Sequence, residues 1–171
     1  MRDGLTEALN QRKFHEELAR EFSRAERHDR PLTLVLFDLD SFKDVNDTHG
    51  HLCGDMVLKQ VAASVREHIR SEQVFARLGG DEFAVLCPET VLEGGLALAE
   101  KLRDRLAELT FSREGAIFSV TCSFGIAQRD TAMVTDHSLF ESADRALYVA
   151  KGAGRNRVVA QPNPTQPPSL S

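Results

Sequence analysis

The stretch Val74-Phe75-Ala76-Arg77-Leu78-Gly79-Gly80-Asp81-Glu82-Phe83-Ala84-Val85-Leu86-Cys87 decides the fold. Two short β-rich runs, Val74–Leu78 and Phe83–Cys87, meet at paired glycines. Paired glycines accept the positive φ that tight turns require, so the stretch reads as a β-hairpin. Upstream, Leu32-Thr33-Leu34-Val35-Leu36-Phe37-Asp38 is long enough for one central strand. Downstream, Ala116 to Ala127 is rich in Ile, Val, Phe and Thr and reads as another strand, and Val158-Val159 as a short last one.

Helical repeats separate these runs. Phe14, Leu18, Phe22 and Ala25 form the first face, with Asn10 as its cap and Arg27–Pro31 as its break. Val57, Leu58, Val61, Ala62, Val65 and Ile69 form the second. Leu92, Leu96, Ala99, Leu102, Leu106 and Leu109 form the third. Leu139, Phe140, Ala143, Leu147 and Ala150 form the last. Strands and helices alternate, but a hairpin interrupts them. The expected class is α+β, an α/β sandwich with a mostly antiparallel central sheet of about five strands surrounded by helices. A doubly wound parallel sheet suits the order less well.

The length of 171 residues suits one domain. The expected division is a domain over 1–160 and a disordered proline-rich tail over 161–171. A net charge of −5 argues against a surface that coats nucleic acid. No apolar run approaches the roughly 18 residues that cross a bilayer, and no signal peptide opens the chain. A cytoplasmic protein with neither nucleic-acid nor membrane partners is expected. Cys53, Cys87 and Cys122 are odd in number and far apart, so buried reduced thiols are expected rather than a disulfide framework or a metal knuckle. His49 and His51 flank Gly50. With no Cys or third His at ligand spacing, they read as structural.

Three segments carry candidate chemistry. In Asp38-Leu39-Asp40-Ser41-Phe42-Lys43-Asp44, a buried strand ends in carboxylates at i and i+2, which share a face. Ser41 then heads a helical turn with Asp44 three residues on, close to a capping box. A helix start with Lys43 nearby attracts anions. The segment is either a Mg²⁺–triphosphate site or a pair of solvated strand-end charges. At the hairpin tip, Asp81 and Glu82 point to opposite faces of an extended chain. Either one completes a metal site beside Asp38, or both simply solvate the turn. Lys151 and Arg155 either complement a helix C-terminus or hold terminal phosphates.

Together these segments resemble one family in order and spacing. Asp38-x-Asp40-x-Phe42-Lys43-x-x-Asn46-Asp47-x-x-Gly50-His51-x-x-Gly54-Asp55 resembles the first signature of GGDEF-domain diguanylate cyclases. Gly79-Gly80-Asp81-Glu82-Phe83 is their naming motif, and Ala150-Lys151-x-x-Gly154-Arg155-Asn156 resembles their C-terminal phosphate clamp. The opening Asp3-x-Leu5-Thr6-x-x-x-Asn10-x-Arg12-x-Phe14 is similar to theirs, with Glu7, Ala8 and Gln11 as departures. The resemblance covers roughly residues 3 to 160.

The resemblance implies a Mg²⁺-dependent enzyme that condenses two GTP into cyclic di-GMP and two pyrophosphates. It would act as a homodimer with one GTP per subunit. Asp38, Asp81 and the Leu39 carbonyl would hold two Mg²⁺, with Mn²⁺ able to substitute. Glu82 would assist at the 3′-hydroxyl, as base or through metal. Lys43, Lys151 and Arg155, with the Ser41 and Phe42 N–H groups, would cradle phosphates. Asn46 and Asp55 would read guanine, and Asp55 favours GTP over ATP. Phe42 would line the base pocket or anchor the turn, while Asp44 and Asp47 are capping or solvated.

The family's inhibitory Arg-x-x-Asp reads Arg70-Ser71-Glu72-Gln73 here, a degenerate site that puts feedback inhibition in question. No sensory or coiled-coil segment precedes the opening motif, so a regulatory domain outside this chain is expected. The alternative is a non-catalytic GTP- or cyclic di-GMP-binding module. Loss of an acid in the metal set would favour it, and none is lost.

Overall fold

Strand β1 (Leu32–Leu39) is buried along its whole length and lies at the centre of the sheet. In this computed structural model, which describes residues 1–161, it pairs antiparallel on both sides. The expected tail therefore lies, except for Gln161, outside the described residues. One neighbour is β3 (Glu82–Pro88), which continues into β2 (Val74–Gly79) across the expected hairpin. The other is β6 (Cys122–Gln128), followed by β7 (Val158–Ala160). Within this five-stranded sheet only β6 and β7 pair in parallel. The mostly antiparallel α+β expectation holds.

Alternation along β1 assigns its two faces. Val35, Phe37 and Leu39 join the cluster beneath α3 (His51–His68) and α4 (Leu92–Ala107). Leu32, Leu34 and Leu36 join the cluster beneath α1 (Gln11–His28) and α5 (Asp136–Gly152). Asp38 continues the second parity. On β3, Ala84 and Leu86 take that same side, so Glu82 shares it. Helix α5 sits close on the sheet because Gly125 of β6 has no side chain. A Cβ there would meet the Leu147 nitrogen at 2.1 Å and the Ala143 carbonyl at 2.4 Å.

Local signals explain the helix ends. Asn10 caps α1 by accepting from the Lys13 N–H at 2.9 Å, and Asp29 ends it with φ 50°. Two sequence expectations need correction. The run 116–127 is not one strand. Ala116–Phe118 is β5, hairpinned with β4 (Phe111–Arg113) across Gly115 at φ 85°, and the chain reaches the main sheet only at Cys122. The Phe118 ring packs on His49 at 4.3 Å and on Phe111 at 5.5 Å, contacts that go with the separate β4–β5 hairpin. The helical turn expected after Ser41 extends as α2 (Phe42–His49), separated from α3 by Gly50 at φ 89°. Ser41 does not cap α2 with its side chain. It lies in the left-handed region at φ 58°, and its carbonyl accepts from the Asp44 N–H at 3.0 Å.

Candidate active site

The C-terminal end of β1 gathers residues from four parts of the chain. Asp38 and Glu82 are register partners across β1 and β3, and the Asp81 carbonyl accepts from the Leu39 N–H at 3.4 Å. Residues 38 and 81 therefore come side by side through the hairpin turn, where Gly79 and Gly80 both adopt positive φ. From the helical layer, Lys151 ion-pairs with Asp38. Asp38 is 6% exposed, and its Oδ1 is buried with no hydrogen-bond partner.

The electrostatics follow from burial among like charges. Burial is the largest influence on Asp38, and Asp81 and Asp40 act in the same direction. The Lys151 hydrogen bond and charge oppose them, and the carboxyl is pushed up to about 6. Burial likewise raises Asp81. It raises Glu82, with Asp144 and then Asp38 adding to the effect. For Lys151 burial works downward, but the hydrogen bond and charge of Asp38, with Asp81 and Glu82, outweigh it and raise the ammonium pKa.

Two residues that the sequence reading left without a role shape the site. Arg77 donates from Nε and Nη2 to the Gly80 carbonyl at 3.0 and 2.8 Å, and from Nη1 to the Asp3 carboxylate at 3.2 Å. Asp3 accepts in turn from the Thr6 N–H and hydroxyl at 2.9 and 2.8 Å. The opening motif is thus tied to the hairpin tip. Burial works to raise Asp3, but these hydrogen bonds and the Arg77 charge outweigh it and lower its pKa. The only sequence hint of Arg77 was a cation inside an otherwise apolar strand.

Asp40 shares a face with Asp38, yet its oxygens are already engaged. Its Oδ1 accepts from Ser123 at 2.6 Å, and its Oδ2 accepts from Thr121 at 2.7 Å and from the Asn156 N–H at 3.0 Å. The carboxylate pair expected from sequence is one open acid and one structural acid.

A Cβ on Gly54 of α3 would lie 1.9 Å from Asn46 Oδ1 and 3.2 Å from Phe42 Cζ, so both α2 side chains converge on the α3 backbone at Gly54, the residue before Asp55. Lys43 and Asp55 are exposed, and Phe42 is half-buried. Arg155 is exposed at φ 64°, just beyond α5. Arg70 and Gln73 stand apart, at the opposite end of the hairpin. Their turn closes on itself, the Arg70 N–H donating to Gln73 Oε1 at 2.8 Å and the Gln73 N–H to the Arg70 carbonyl at 3.1 Å. A cavity of about 800 Å³ lined by Asp29, Arg129 and Gln161 also lies at the far end of β1.

Among the described residues no three His, Cys, Asp or Glu side chains converge as a ready-made metal cage. Two carboxylates and a carbonyl still suit a hard cation, and the unpartnered Asp38 Oδ1 is the donor that such an ion would satisfy.

The profile "Diguanylate cyclase, GGDEF domain" matches residues 1–157. The chain belongs to the GGDEF family. It is 43% identical over 156 residues to diguanylate cyclase DgcP of Pseudomonas aeruginosa, covering 91% of this chain and 23% of that protein. It is 37% identical over 157 residues to diguanylate cyclase DgcS of Shewanella oneidensis, covering 91% and 51%. The chain thus spans between about a quarter and half of these relatives. Among solved GGDEF structures, the domain of DgcB from Caulobacter crescentus in complex with c-di-GMP superposes with a TM-score of 0.91 at 34% identity, covering 95% of this chain and 93% of that one. Diguanylate cyclase SiaD of P. aeruginosa, in complex with its activator SiaC, gives 0.89 at 36% identity, covering 93% and 61%.

Proposed function

We propose that residues 1–160 form a catalytic domain that condenses two GTP into cyclic di-GMP and two pyrophosphates. The observation that carries this reading is the juxtaposition of Asp38, with its unpartnered buried oxygen, and the hairpin acids Asp81 and Glu82. Membership of a family whose relatives are named diguanylate cyclases supports it.

Asp38, Asp81 and the Leu39 carbonyl would hold two Mg²⁺, or Mn²⁺ in their place. When bound, the ions supply Lewis acidity at the α-phosphate and at the departing pyrophosphate. Asn46 and Asp55 hold the guanine edge, Asp55 accepting from N1–H and the exocyclic amine, a donor pair that adenine lacks. Lys43 and Arg155, with the N–H groups of Ser41 and Phe42, cradle the β- and γ-phosphates. Lys151, ion-paired with Asp38 in the free domain, would add its charge to the same phosphate cradle.

Each domain presents one nucleotide, so the reaction needs two domains facing each other. The 3′-oxygen of one GTP bonds to the α-phosphorus of the other, and the bond to the bridging β-phosphate oxygen breaks. Glu82 receives the hydroxyl proton, and its burial beside Asp144 and Asp38 suits it to do so.

No described helix is long and apolar enough to cross a membrane, and we place the reaction in the cytoplasm. A regulatory partner outside this chain would set domain pairing; the relative SiaD is solved in complex with its activator SiaC. Incubation with GTP and Mg²⁺ at high protein concentration tests the reading. Cyclic di-GMP and pyrophosphate are expected. Their absence even with a fused dimerising segment would overturn it, and tight GTP binding without product would identify a binding module instead.

A further inference from the structure

We propose that Asp40 is a positioning residue that holds the terminal-phosphate clamp in place, an inference that rests on the cyclase reading. The sequence puts two carboxylates on one face of β1, and the structure divides their work. Asp38 keeps an open oxygen. Asp40, 9% exposed, has both oxygens filled by three donors from two distant segments, the hydroxyls of Thr121 and Ser123 at the start of β6 and the Asn156 N–H beyond α5. Its own N–H donates to the Thr121 carbonyl at 2.8 Å, so backbone and side chain are pinned to the same entry into β6.

The segment so held is the one that needs holding. Arg155 at φ 64° and Asn156 at φ 45° are consecutive left-handed residues, neither of them glycine. Such a conformation persists only where surrounding contacts over-determine it. Asparagine tolerates the region better than arginine. The Arg155 N–H donates to the Ala150 carbonyl at 3.0 Å, and its carbonyl accepts from Arg157 Nε at 3.0 Å. Asn156 is fixed twice, by its N–H on Asp40 and by its Oδ1, which accepts from Arg103 at 3.1 Å. Among the described residues the exposed Arg155 side chain makes no hydrogen bond or ion pair, so its direction follows the turn. A charged acceptor serving three donors is a stronger anchor than a neutral one. Asp40 therefore fixes the turn from which Arg155 reaches the β- and γ-phosphates, without touching substrate or metal.

A structural acid and a phosphate-positioning acid make different predictions for nucleotides that differ only in their terminal phosphate. The probes are guanosine 5′-[α,β-methylene]triphosphate and the matching diphosphate, neither of which can be cyclised, titrated with Mg²⁺ by calorimetry. In Asp40→Asn the preference for triphosphate over diphosphate should fall at least about tenfold, with diphosphate affinity held within about twofold. Arg155→Ala should give the same loss, and adding Asp40→Asn to it should cause little more. Ser123→Ala, which removes one donor and keeps the carboxylate, should shift the preference in the same direction by less. It serves in place of Asp40→Asn if that variant does not fold. An unchanged preference, or a parallel fall for both nucleotides, overturns the inference while leaving the cyclase reading intact. A wild-type protein that binds neither nucleotide overturns both.

Discussion

Lys151 and Asp38, one on the last helix and one on the central strand, form an ion pair at the mouth of the acidic cluster. The contact ties α5 to β1 beside Asp81 and Glu82, and it leaves one Asp38 oxygen without a partner. On the proposed function, a divalent ion and Lys151 would compete for the same carboxylate.

That competition should be visible as proton release. Burial pushes the Asp38 carboxyl up to about 6, above the ordinary value near 4. Because this is a raised acid, the folded protein holds the proton more tightly than the unfolded one between those values, and Asp38 costs stability as pH rises through that window. Cation binding requires the ionised form. Adding Mg²⁺ and a non-cyclisable GTP analogue at pH 6 should release protons that are not released at pH 8. Calorimetry in buffers of different ionisation enthalpy measures the difference, and equal release at both pH values contradicts the assignment.

The Asp3–Arg77 pair should set both stability and hairpin order. Asp3→Asn weakens the bonds to Arg77 and Thr6 and should cost about 1–2 kcal/mol in denaturant melts. Asp3 has a lowered pKa, so its contribution is present above the ordinary carboxylate value and is lost as pH falls through the lower folded value. The gap between wild type and Asp3→Asn should therefore close under acid. Arg77→Lys should lower turnover more than it lowers stability, because lysine lacks the fork that grips Gly80 and Asp3 together.

Gly125 should tolerate nothing larger. Its Cβ would sit 2.1 Å from backbone that does not yield as a side chain does, so Gly125→Ala should destabilise by about 1–3 kcal/mol by overpacking. Because Asp144 and Lys151 ride on α5, turnover at temperatures where the variant is still folded should fall as well. A fully active, fully stable Gly125→Ala protein would show that α5 moves freely over the sheet.

The proposed base-reading pair, Asn46 and Asp55, can be probed from Gly54. Gly54→Ala places a methyl 1.9 Å from Asn46 Oδ1 and must displace that amide. KM for GTP should rise severalfold with smaller change in kcat. Asp55→Ser should narrow the preference for GTP over ATP by roughly tenfold, the worth of about 1–3 kcal/mol per mispaired group. Competition assays with both nucleotides measure it.

Much of this molecule was legible before folding. Helical spacing located the four long helices, and the paired glycines revealed the hairpin, because both signals are local in the chain. The start of α2 was read at Ser41 but its extent was not, and the β4–β5 hairpin was missed. That hairpin is short, and its packing depends on a distant neighbour, His49 stacking on Phe118. Ser41 looked like a cap, but its backbone conformation follows from how β1 hands the chain to α2, and that is not encoded in residue type alone.

The site divides the same way. From the order of residues alone came the family, the antiparallel class and the identity of the acids, since motif spacing and strand parity are properties of a one-dimensional string. Which acid stays open and which is consumed belonged to the tertiary structure. Asp38 and Asp40 are indistinguishable by parity, and they differ only because Thr121, Ser123 and Asn156 arrive beside one of them and Lys151 beside the other. Electrostatics and hydrogen bonding act through space over a few ångströms, so a carboxylate's task is set by neighbours that the chain brings from far along its length.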